Sequence, residues 1–395
     1  MIRISVFVLC FFCIEALLSG SLVWAQDTVA TRDDCVRFAT FNVALNRKKK
    51  GDLTAELRTG SKSASKLAAI IQTVRPDVLL LNEIDFDEGK SLREFEKYLA
   101  KPQHGQKAIE YSHRYVAQVN TGVDSEVDVD GDGRKGSPQD AFGYGVFPGQ
   151  YGMAVLSRYP IPVDKIRTFQ KFLWKDMPGA LIPTNPGTKE AWYSPDVWKV
   201  FRLSSKSHWD LPIQTGSKTI HFLVSHPTPP VFDEEEDRNG KRNHDEIRIW
   251  ADYASGKASY LYDDKGTQGG LKDGEHFVIA GDLNADPHDG DSADNAINQL
   301  LKHPRIGSQP CPASAGGKFY AEKDGGANRN QKGDPSHDTS NFNDRTVGNM
   351  RVDYVLPSKS LTVKHSGVFW PAPDQPGSKL ADVSDHRLVW IDIEK

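Results

Sequence analysis

The stretch FVIAGDLNADP, residues 277–287, joins an apolar run to two polar side chains. An apolar run of this length between turn formers predicts an interior strand. Because alternate residues of a strand share a face, we expect Asp282 and Asn284 to lie side by side just past its end. A carboxylate in such a place can bind a metal ion or move a proton. The alternative is plain turn chemistry, in which Asp and Asn bond their own backbone.

The same arrangement recurs along the chain, where apolar strands end in residues able to bind a metal or move a proton. These residues are Asn42, Glu83, His226, Asp282, Asn284, Asp353, Asp385 and His386. Each of them alone has a structural explanation, such as a cap, a turn or a hydrogen-bonded core histidine. Together they favour a functional site, because several carboxylates buried near one another cost free energy unless a cation or a histidine compensates.

The elements that must position these residues are mostly strands. Apolar patterns predict strands at 36–45, 77–85, 152–161, 219–226, 276–284, 351–358 and 386–393. Helical spacing predicts helices at 65–74 and 244–261. A chain with more strands than strong helical segments favours an α/β or α+β domain, in which sheet packs on sheet and helices lie outside.

We find no fixed-period repeat and no long linker, so residues 26–395 are predicted to form a single domain. Segments rich in glycine, proline and polar residues predict surface insertions around 120–145, 177–215 and 310–345. Such insertions either carry substrate specificity or are solvated decoration.

Residues 1–25 have the pattern of a secretory signal peptide, with Arg3 ahead of an apolar stretch and a small residue, Ala25, before the expected cut. The alternative is a membrane anchor, but Glu15 interrupts the run and leaves no stretch of about 18 apolar residues. We therefore expect export to the periplasm or the extracellular space, without a stable membrane anchor. The mature chain would keep Cys35 and Cys311, which either form one disulfide or remain two thiols.

Seven motifs resemble those of one family and come in its order. They are ATFNVAL, LLLNEID, GMAVLSRYPI, VSHPTPP, AGDLNADP, RVDYVLP and SDHRLVW. The chain thus resembles the endonuclease/exonuclease/phosphatase (deoxyribonuclease I-like) superfamily over residues 36–393, and the stretch from HPTPP to IRIWADY resembles a subgroup of secreted bacterial members. The resemblance implies a four-layer sandwich of two packed mixed β-sheets with helices outside. It also implies one active site at the edge of the sandwich.

The resemblance further implies a metal site with Glu83 as the principal ligand, completed by Asp385 and Asn42. Oxygen ligands of this kind suit Mg²⁺ or Mn²⁺, as one ion or two, and argue against zinc. The family's usual Gln-Glu pair stands here as Asn82-Glu83, which keeps the ligand and changes its neighbour.

The catalytic roles are implied in the same way. His386 would be the acid–base imidazole, oriented by Asp353. Asp282 would orient or deprotonate the attacking water, and Asn284 would hydrogen-bond a phosphate oxygen. His226 would bind the phosphate or protonate the leaving oxygen.

The function implied is that of a secreted, divalent-metal-dependent phosphoesterase that hydrolyses a phosphodiester or a phosphomonoester by in-line attack of water. An extracellular nuclease and a catalytically silent binding module are the alternatives. The net charge is only −4, from 49 basic and 53 acidic residues, and the basic runs at 47–50 and 238–242 are short. Nucleic acid is therefore not favoured, and we expect a monomer acting on a phosphate ester.

A second metal signal lies in the segment VDVDGDG. Its residues Asp128, Asp130 and Asp132, followed by a glycine, match the first half of a calcium-binding loop. The match then fails, because the twelfth position is Gln139 and the nearest carboxylate, Asp140, comes one residue late. This segment is either a structural calcium site or a solvated acidic loop.

Overall fold

The computed structural model describes residues 34–216, 218–256, 258–308 and 310–395. Its strands are β1 (Cys35–Leu45), β2 (Val78–Ile84), β3 (His113–Tyr115), β4 (Met153–Ser157), β5 (Arg167–Thr168), β6 (His208–Thr215), β7 (Lys218–Ser225), β8 (His276–Asp282), β9 (Ser340–Asn341), β10 (Asn349–Met350), β11 (Asp353–Pro357), β12 (Val363–Val368) and β13 (Val389–Glu394). Its α-helices are α1 (Asp52–Thr59), α2 (Lys62–Val74), α3 (Lys90–Leu99), α4 (Pro195–Val200), α5 (Arg238–Ala254), α6 (Asn298–Leu301) and α7 (Ala315–Asp324).

Two mixed sheets carry the fold. The first has the strand order β12-β13-β1-β2-β4-β3, and the second has the order β11-β8-β7-β6-β5. The pairs β1–β2 and β7–β8 are parallel, and the other neighbours are antiparallel. A short ribbon of β9 and β10 stands apart. The prediction of two packed mixed sheets with helices outside is confirmed.

The layers follow from the alternation of side chains along the strands. Phe38 of β1 lies between the sheets, in one core with Trp209 and Phe222 of the second sheet. Its neighbour Ala39 faces the other way and packs with helices α1, α2 and α3. A third core joins the outer face of the second sheet to α5, where Trp250 is fully buried.

The inner faces of both sheets end in polar residues. In β1 the inward series from Phe38 continues to Asn42, and in β8 the series from Val278 continues to Asp282. Asn42 Nδ2 donates to Asp282 Oδ2 at 3.0 Å, so the two sheets are bonded to each other at this end. Asn82 of β2 adds a second link, because its Oδ1 accepts the backbone N–H of Asp282 at 3.3 Å.

Two sequence predictions differ most from the observed boundaries. The segment 177–215, expected as an insertion, ends in the core strand β6. Pro212 of this strand has no backbone N–H to donate, and β5 pairs only with Trp209 and Asp210, so the outer edge of β6 is open at the proline. The helix predicted at 244–261 is α5, which begins at Arg238 and ends at Ala254, because Gly256 with φ of 69° follows its end.

Other expectations concern the N-terminus and the cysteines. The predicted signal peptide, 1–25, lies outside the described residues. Cys35 is buried at the start of β1, Cys311 is partly buried ahead of α7, and no disulfide joins them. Among the helices of the described ranges, none is both long and apolar enough to cross a membrane.

Candidate active site

One carboxylate oxygen, Asp282 Oδ2, is the centre of the site. Besides Asn42 Nδ2 it faces His226 Nε2 at 3.4 Å and His386 Nε2 at 3.6 Å. The other oxygen of Asp282 accepts the backbone N–H of Asn284 at 3.1 Å. Burial raises the pKa of Asp282 to about 6, with the charge of Asp353 adding to the rise and His386 opposing it. The carboxylate is thus more basic than an ordinary aspartate.

His386 and Asp353 form a buried pair beside this centre. His386 Nδ1 lies 2.9 Å from Asp353 Oδ2, and the hydroxyl of Thr339 donates to the same oxygen at 2.9 Å. Burial alone would lower the pKa of His386, but the carboxylates of Asp353 and Asp282 outweigh it and raise that pKa to about 10. The imidazole is therefore held in its cationic form at neutral pH.

His226 lies in the opposite electrostatic situation. It follows β7 and is buried, with its Nδ1 lacking a hydrogen-bond partner among the described residues. Burial lowers the pKa of His226 well below its usual value, and the charges of Lys206 and His386 lower it further. The site therefore holds one cationic and one neutral histidine against a single carboxylate.

Glu83 stands at the end of β2, next to the centre. Its Oε2 accepts a hydrogen bond from Asn46 Nδ2 at 2.8 Å. Burial raises the pKa of Glu83, partly offset by the charge of His386. Glu83 has φ of 58° and Asn284 has φ of 52°, both in the left-handed region. Such strain in non-glycine residues clusters at functional sites; Glu83 lies within β2, and Asn284 lies two residues after the end of β8.

Two predicted site residues lie at the edge of this group. Asn284 directs its side chain to the carbonyl of Pro227, with Nδ2 to O at 3.1 Å. Asp385 is exposed, and its backbone carbonyl accepts the N–H of Asn341 at 2.8 Å. The structure thus places seven of the eight predicted residues together and leaves the Asp385 carboxylate facing solvent beside His386.

The donor set near Glu83 fits a hard divalent cation. It offers carboxylate oxygens of Glu83 and Asp282 and the amide of Asn42, and oxygen donors are what Mg²⁺ prefers. Glu83 is partly buried and contacts no cationic side chain among the described residues, which leaves its charge poorly compensated. The ligating atoms of Asp282, Asp353 and His386 also lie within 4.8 Å of one another. That group fits a hydrogen-bonded pair better than a metal site, because Asp353 already occupies the Nδ1 position and a cationic ring has no lone pair for a metal.

The profile of the Endonuclease/Exonuclease/phosphatase family matches residues 39–386. The chain belongs to the endonuclease/exonuclease/phosphatase family. The match confirms the resemblance found in the seven motifs. Comparison with curated proteins by sequence gave no match.

Comparison with solved structures found similar chains. An endonuclease/exonuclease/phosphatase from Beutenbergia cavernae DSM 12333 has a TM-score of 0.50 and 18% identity, covering 91% of this chain and 72% of the other. Sphingomyelinase C from Streptomyces griseocarneus has a TM-score of 0.45 and 16% identity, covering 91% of this chain and 99% of the other. A beta toxin from Staphylococcus aureus with bound magnesium ions has a TM-score of 0.45 and 14% identity, covering 92% of this chain and 100% of the other. At these identities the likeness concerns the fold alone.

Helix α5 contacts the loops around this site through a buried polar face, which its sequence pattern did not indicate. Its side chains bond the backbone of the loops that carry site residues. The contacts are Arg242 Nε to Leu203 O at 2.9 Å, Asn243 Nδ2 to Thr228 O at 2.8 Å, Leu181 N to Asp245 Oδ2 at 2.8 Å and Thr228 N to Glu246 Oε2 at 2.7 Å. By contrast, Arg248 pairs with Asp252 at 3.0 Å and does not enter the site. The stretch from HPTPP to IRIWADY is thus a loop and the helix that fixes it.

Two predicted insertions also reach the site. Thr339 and Phe342 come from 310–345, and the ring of Phe342 lies edge-on to His386 with centroids 5.4 Å apart. Lys206 comes from 177–215 and is buried near Glu83 and Asp282. The sequence did not indicate that either insertion contributes to the site, because these residues stand in irregular segments without periodicity.

The acidic loop folds differently from the expected calcium motif. Carboxylates of Asp128 and Asp130 meet Asp140, and Asp132 is not part of this group. Asp140 is buried and accepts the backbone N–H groups of Val129 at 2.8 Å and Ser137 at 2.9 Å. The turn that begins at residue 138 carries Asp140 under the loop. Calcium binding there stays a prediction.

Proposed function

We propose that this chain is an exported, divalent-metal-dependent phosphoesterase that hydrolyses a phosphodiester or phosphomonoester by in-line attack of water. The observation that carries the proposal is the convergence of His226 and His386 on Asp282 Oδ2, one ring neutral and the other cationic. Family membership supports it. Phosphoryl transfer needs an oriented nucleophile and stabilised charge, and these side chains supply both.

The residues divide the work of proton transfer. Asp282, with its raised pKa, orients the attacking water and accepts its proton. His386 is held cationic by Asp353 and donates to a phosphoryl oxygen, where negative charge grows in the transition state. His226 is neutral and buried, and it hydrogen-bonds the phosphoryl group or the leaving oxygen.

Glu83 and Asn42 would hold the cation, with Asp385 as the predicted third ligand. When bound, a Mg²⁺ or Mn²⁺ ion supplies Lewis-acid polarisation of the phosphoryl group and neutralises developing charge. Asn46 fixes one oxygen of Glu83 through a 2.8 Å hydrogen bond, and Asn42 is fixed by the backbone N–H of Ala44 at 3.1 Å. These contacts hold the ligand oxygens in place ahead of binding.

The test is hydrolysis of a chromogenic phosphodiester beside a chromogenic phosphomonoester, each in Mg²⁺, in Mn²⁺ and with a chelator. We expect metal-dependent turnover, and the preferred ester ranks diesterase against phosphatase. A nuclease would instead cleave DNA or RNA far faster than either small ester. No turnover of any ester by metal-loaded protein would contradict the proposal and favour a silent binding module.

A further inference from the structure

A buried lysine next to the site is not explained by the roles assigned so far. Lys206 lies two residues before β6 and is 7% exposed, the only buried lysine among those that the structure describes. Burying an ammonium group costs free energy unless an opposite charge and hydrogen bonds compensate it. Its partners therefore decide its role.

The contacts of Lys206 leave most of its donor capacity unused. Its Nζ donates one long hydrogen bond, to Pro227 O at 3.4 Å, although an ammonium group has three donors. No described carboxylate lies within 4.0 Å of it. Glu246, the carboxylate whose charge acts most strongly on Lys206, already accepts Ser205 N at 2.6 Å and Thr228 N at 2.7 Å. Among the described residues, Lys206 is thus a buried basic group without a counterion in contact.

The position of Lys206 points to where a counterion would sit. Asn284 Nδ2 donates to the same carbonyl, Pro227 O, at 3.1 Å, so the two side chains converge on one point. His226 is the residue directly before Pro227 in the chain. The charges of Glu246, Glu83 and Asp282 act on Lys206, and Lys206 in turn acts on His226. The ammonium therefore lies against the loop that follows His226 and near the carboxylates of the site.

We infer that Lys206 binds the substrate's phosphoryl group, with its ammonium and the Asn284 amide taking one non-bridging oxygen beside His226. The inference rests on the proposed function and deepens it, because it gives the site a basic group of the chain's own. Burial lowers the pKa of Lys206, and a phosphate oxygen in contact would favour its positively charged form. Such a charge binds a phosphate oxygen in the ground state and strengthens as negative charge grows. It also makes anion binding partly independent of the metal.

The competing role for Lys206 is structural, as a neutralising charge for Glu246. The two roles differ in what removal of the charge does to the folded protein. A lysine that neutralises a buried carboxylate leaves that carboxylate uncompensated when it is removed, and the protein loses stability. A lysine that awaits a ligand imposes its own desolvation cost, so Lys206→Met should leave the unfolding temperature without phosphate unchanged or higher.

The experiment measures inorganic phosphate binding by titration calorimetry on the whole chain with chelator present. It compares wild type with Lys206→Met, Lys206→Arg and the control Lys364→Met, an exposed lysine on β12. We expect phosphate affinity to fall about 10- to 100-fold in Lys206→Met, to stay within a few-fold in Lys206→Arg and to be unchanged in the control. The KM for the preferred ester should rise in parallel, and thermal unfolding without phosphate should show no loss of stability.

Unchanged phosphate affinity and KM in Lys206→Met would overturn the inference. The inference would also be overturned if Lys206→Met were destabilised and Lys206→Arg failed to retain the phosphate affinity of the wild type. The proposed function is tested separately: if wild type binds phosphate through Lys206 but hydrolyses no ester, the phosphate site stands and the phosphoesterase proposal fails. If wild type hydrolyses an ester and Lys206→Met does so equally well, the phosphoesterase proposal stands and the phosphate-binding role of Lys206 fails.

Discussion

At the scale of single residues, the site works by giving similar side chains different environments. His226 and His386 are both buried against Asp282, yet only His386 has a carboxylate in hydrogen-bonding contact on its far side. That contact with Asp353 holds it cationic, while burial and nearby positive charge keep His226 neutral. The opposite charge states of the two rings therefore follow from the neighbours of each ring.

We predict that Asp353→Asn lowers kcat by about 10²- to 10⁴-fold on the preferred ester, because the amide no longer stabilises the imidazolium or fixes its orientation. The measurement is steady-state kinetics at saturating metal. The control is Asp210→Asn, which breaks an aspartate–histidine contact of 2.7 Å to His221 elsewhere in the second sheet. Equal kcat values in Asp353→Asn and wild type would refute the role.

His208 should make stability depend on pH. Burial lowers its pKa from 6.5 to about 4, despite the opposing charge of Glu246. Because the folded pKa lies below the unfolded one, the unfolded chain binds the extra proton between these values, and the folded state loses stability as pH falls from 6.5 to 4. We predict that His208→Gln removes up to about 3 kcal/mol of this loss, measured by urea unfolding at pH 7 and pH 4. The same pH slope in both proteins would contradict it.

Most site residues could be predicted from the sequence because they end apolar strands. Asn42 and Asp282 stand on the same alternating series as the apolar core residues of their strands, so alternation alone predicts that both point inward. Lys206 and Thr339 could not be predicted, because irregular segments carry no periodic signal. Only folding brings Thr339 to Asp353, 14 positions further along the chain.

At the scale of elements, α5 is the scaffold of the site. It is buried on a polar face, where Glu246 receives backbone N–H groups from two different loops, at Ser205 and Thr228. Those loops carry Lys206 and His226. A helix that buries polar groups must satisfy all of them, and in doing so it fixes the loops to a single geometry.

We predict that Glu246→Gln lowers the free energy of unfolding by about 1–3 kcal/mol and lowers kcat as well, because the amide replaces one acceptor oxygen with a donor facing backbone N–H groups. Denaturant unfolding and ester kinetics measure the two effects. Asp252→Asn, on the same helix but partly exposed and paired with Arg248, should change the free energy of unfolding by less than about 1 kcal/mol. Equal losses in the two variants would remove the scaffold role.

The strand β6 shows where element prediction fails. Its sequence HWDLPIQT alternates apolar residues that face the sheet interface, yet Pro212 is a residue that central strands exclude. The proline fits because the neighbouring strand β5 has only two residues. The length of a neighbouring strand is a tertiary property, so the sequence of β6 alone cannot reveal it.

At the scale of the whole molecule, the two sheets meet in an apolar core that becomes polar at one end. Asn42 and Asn82 both bond Asp282 across the interface, so the site is also part of what joins the sheets. The four layers were predictable from strand count, helical spacing and the family motifs. The contribution of residues from the predicted insertions to the site could not be predicted, since it depends on how the loops cross the sandwich.

We predict that Mg²⁺ stabilises the whole chain, because an ion held by Asn42 and Glu83, which are distant in sequence, would bind only the folded state. At ten times the dissociation constant the gain is about 1.4 kcal/mol, seen as a higher unfolding temperature that the chelator reverses. Glu83→Gln should abolish the gain. A gain that persists in Glu83→Gln would show that the stabilising ion binds elsewhere, for example at Asp128 and Asp140.

The most direct measurement is the kcat of four variants in Mg²⁺ on the preferred ester. His386→Ala and Glu83→Ala remove site residues, while His365→Ala and Glu88→Ala remove exposed residues of the same types. We predict a loss of at least about 100-fold in the first two and wild-type rates in the controls. Turnover that survives in His386→Ala and Glu83→Ala would contradict the assignment of this site as a phosphoesterase centre.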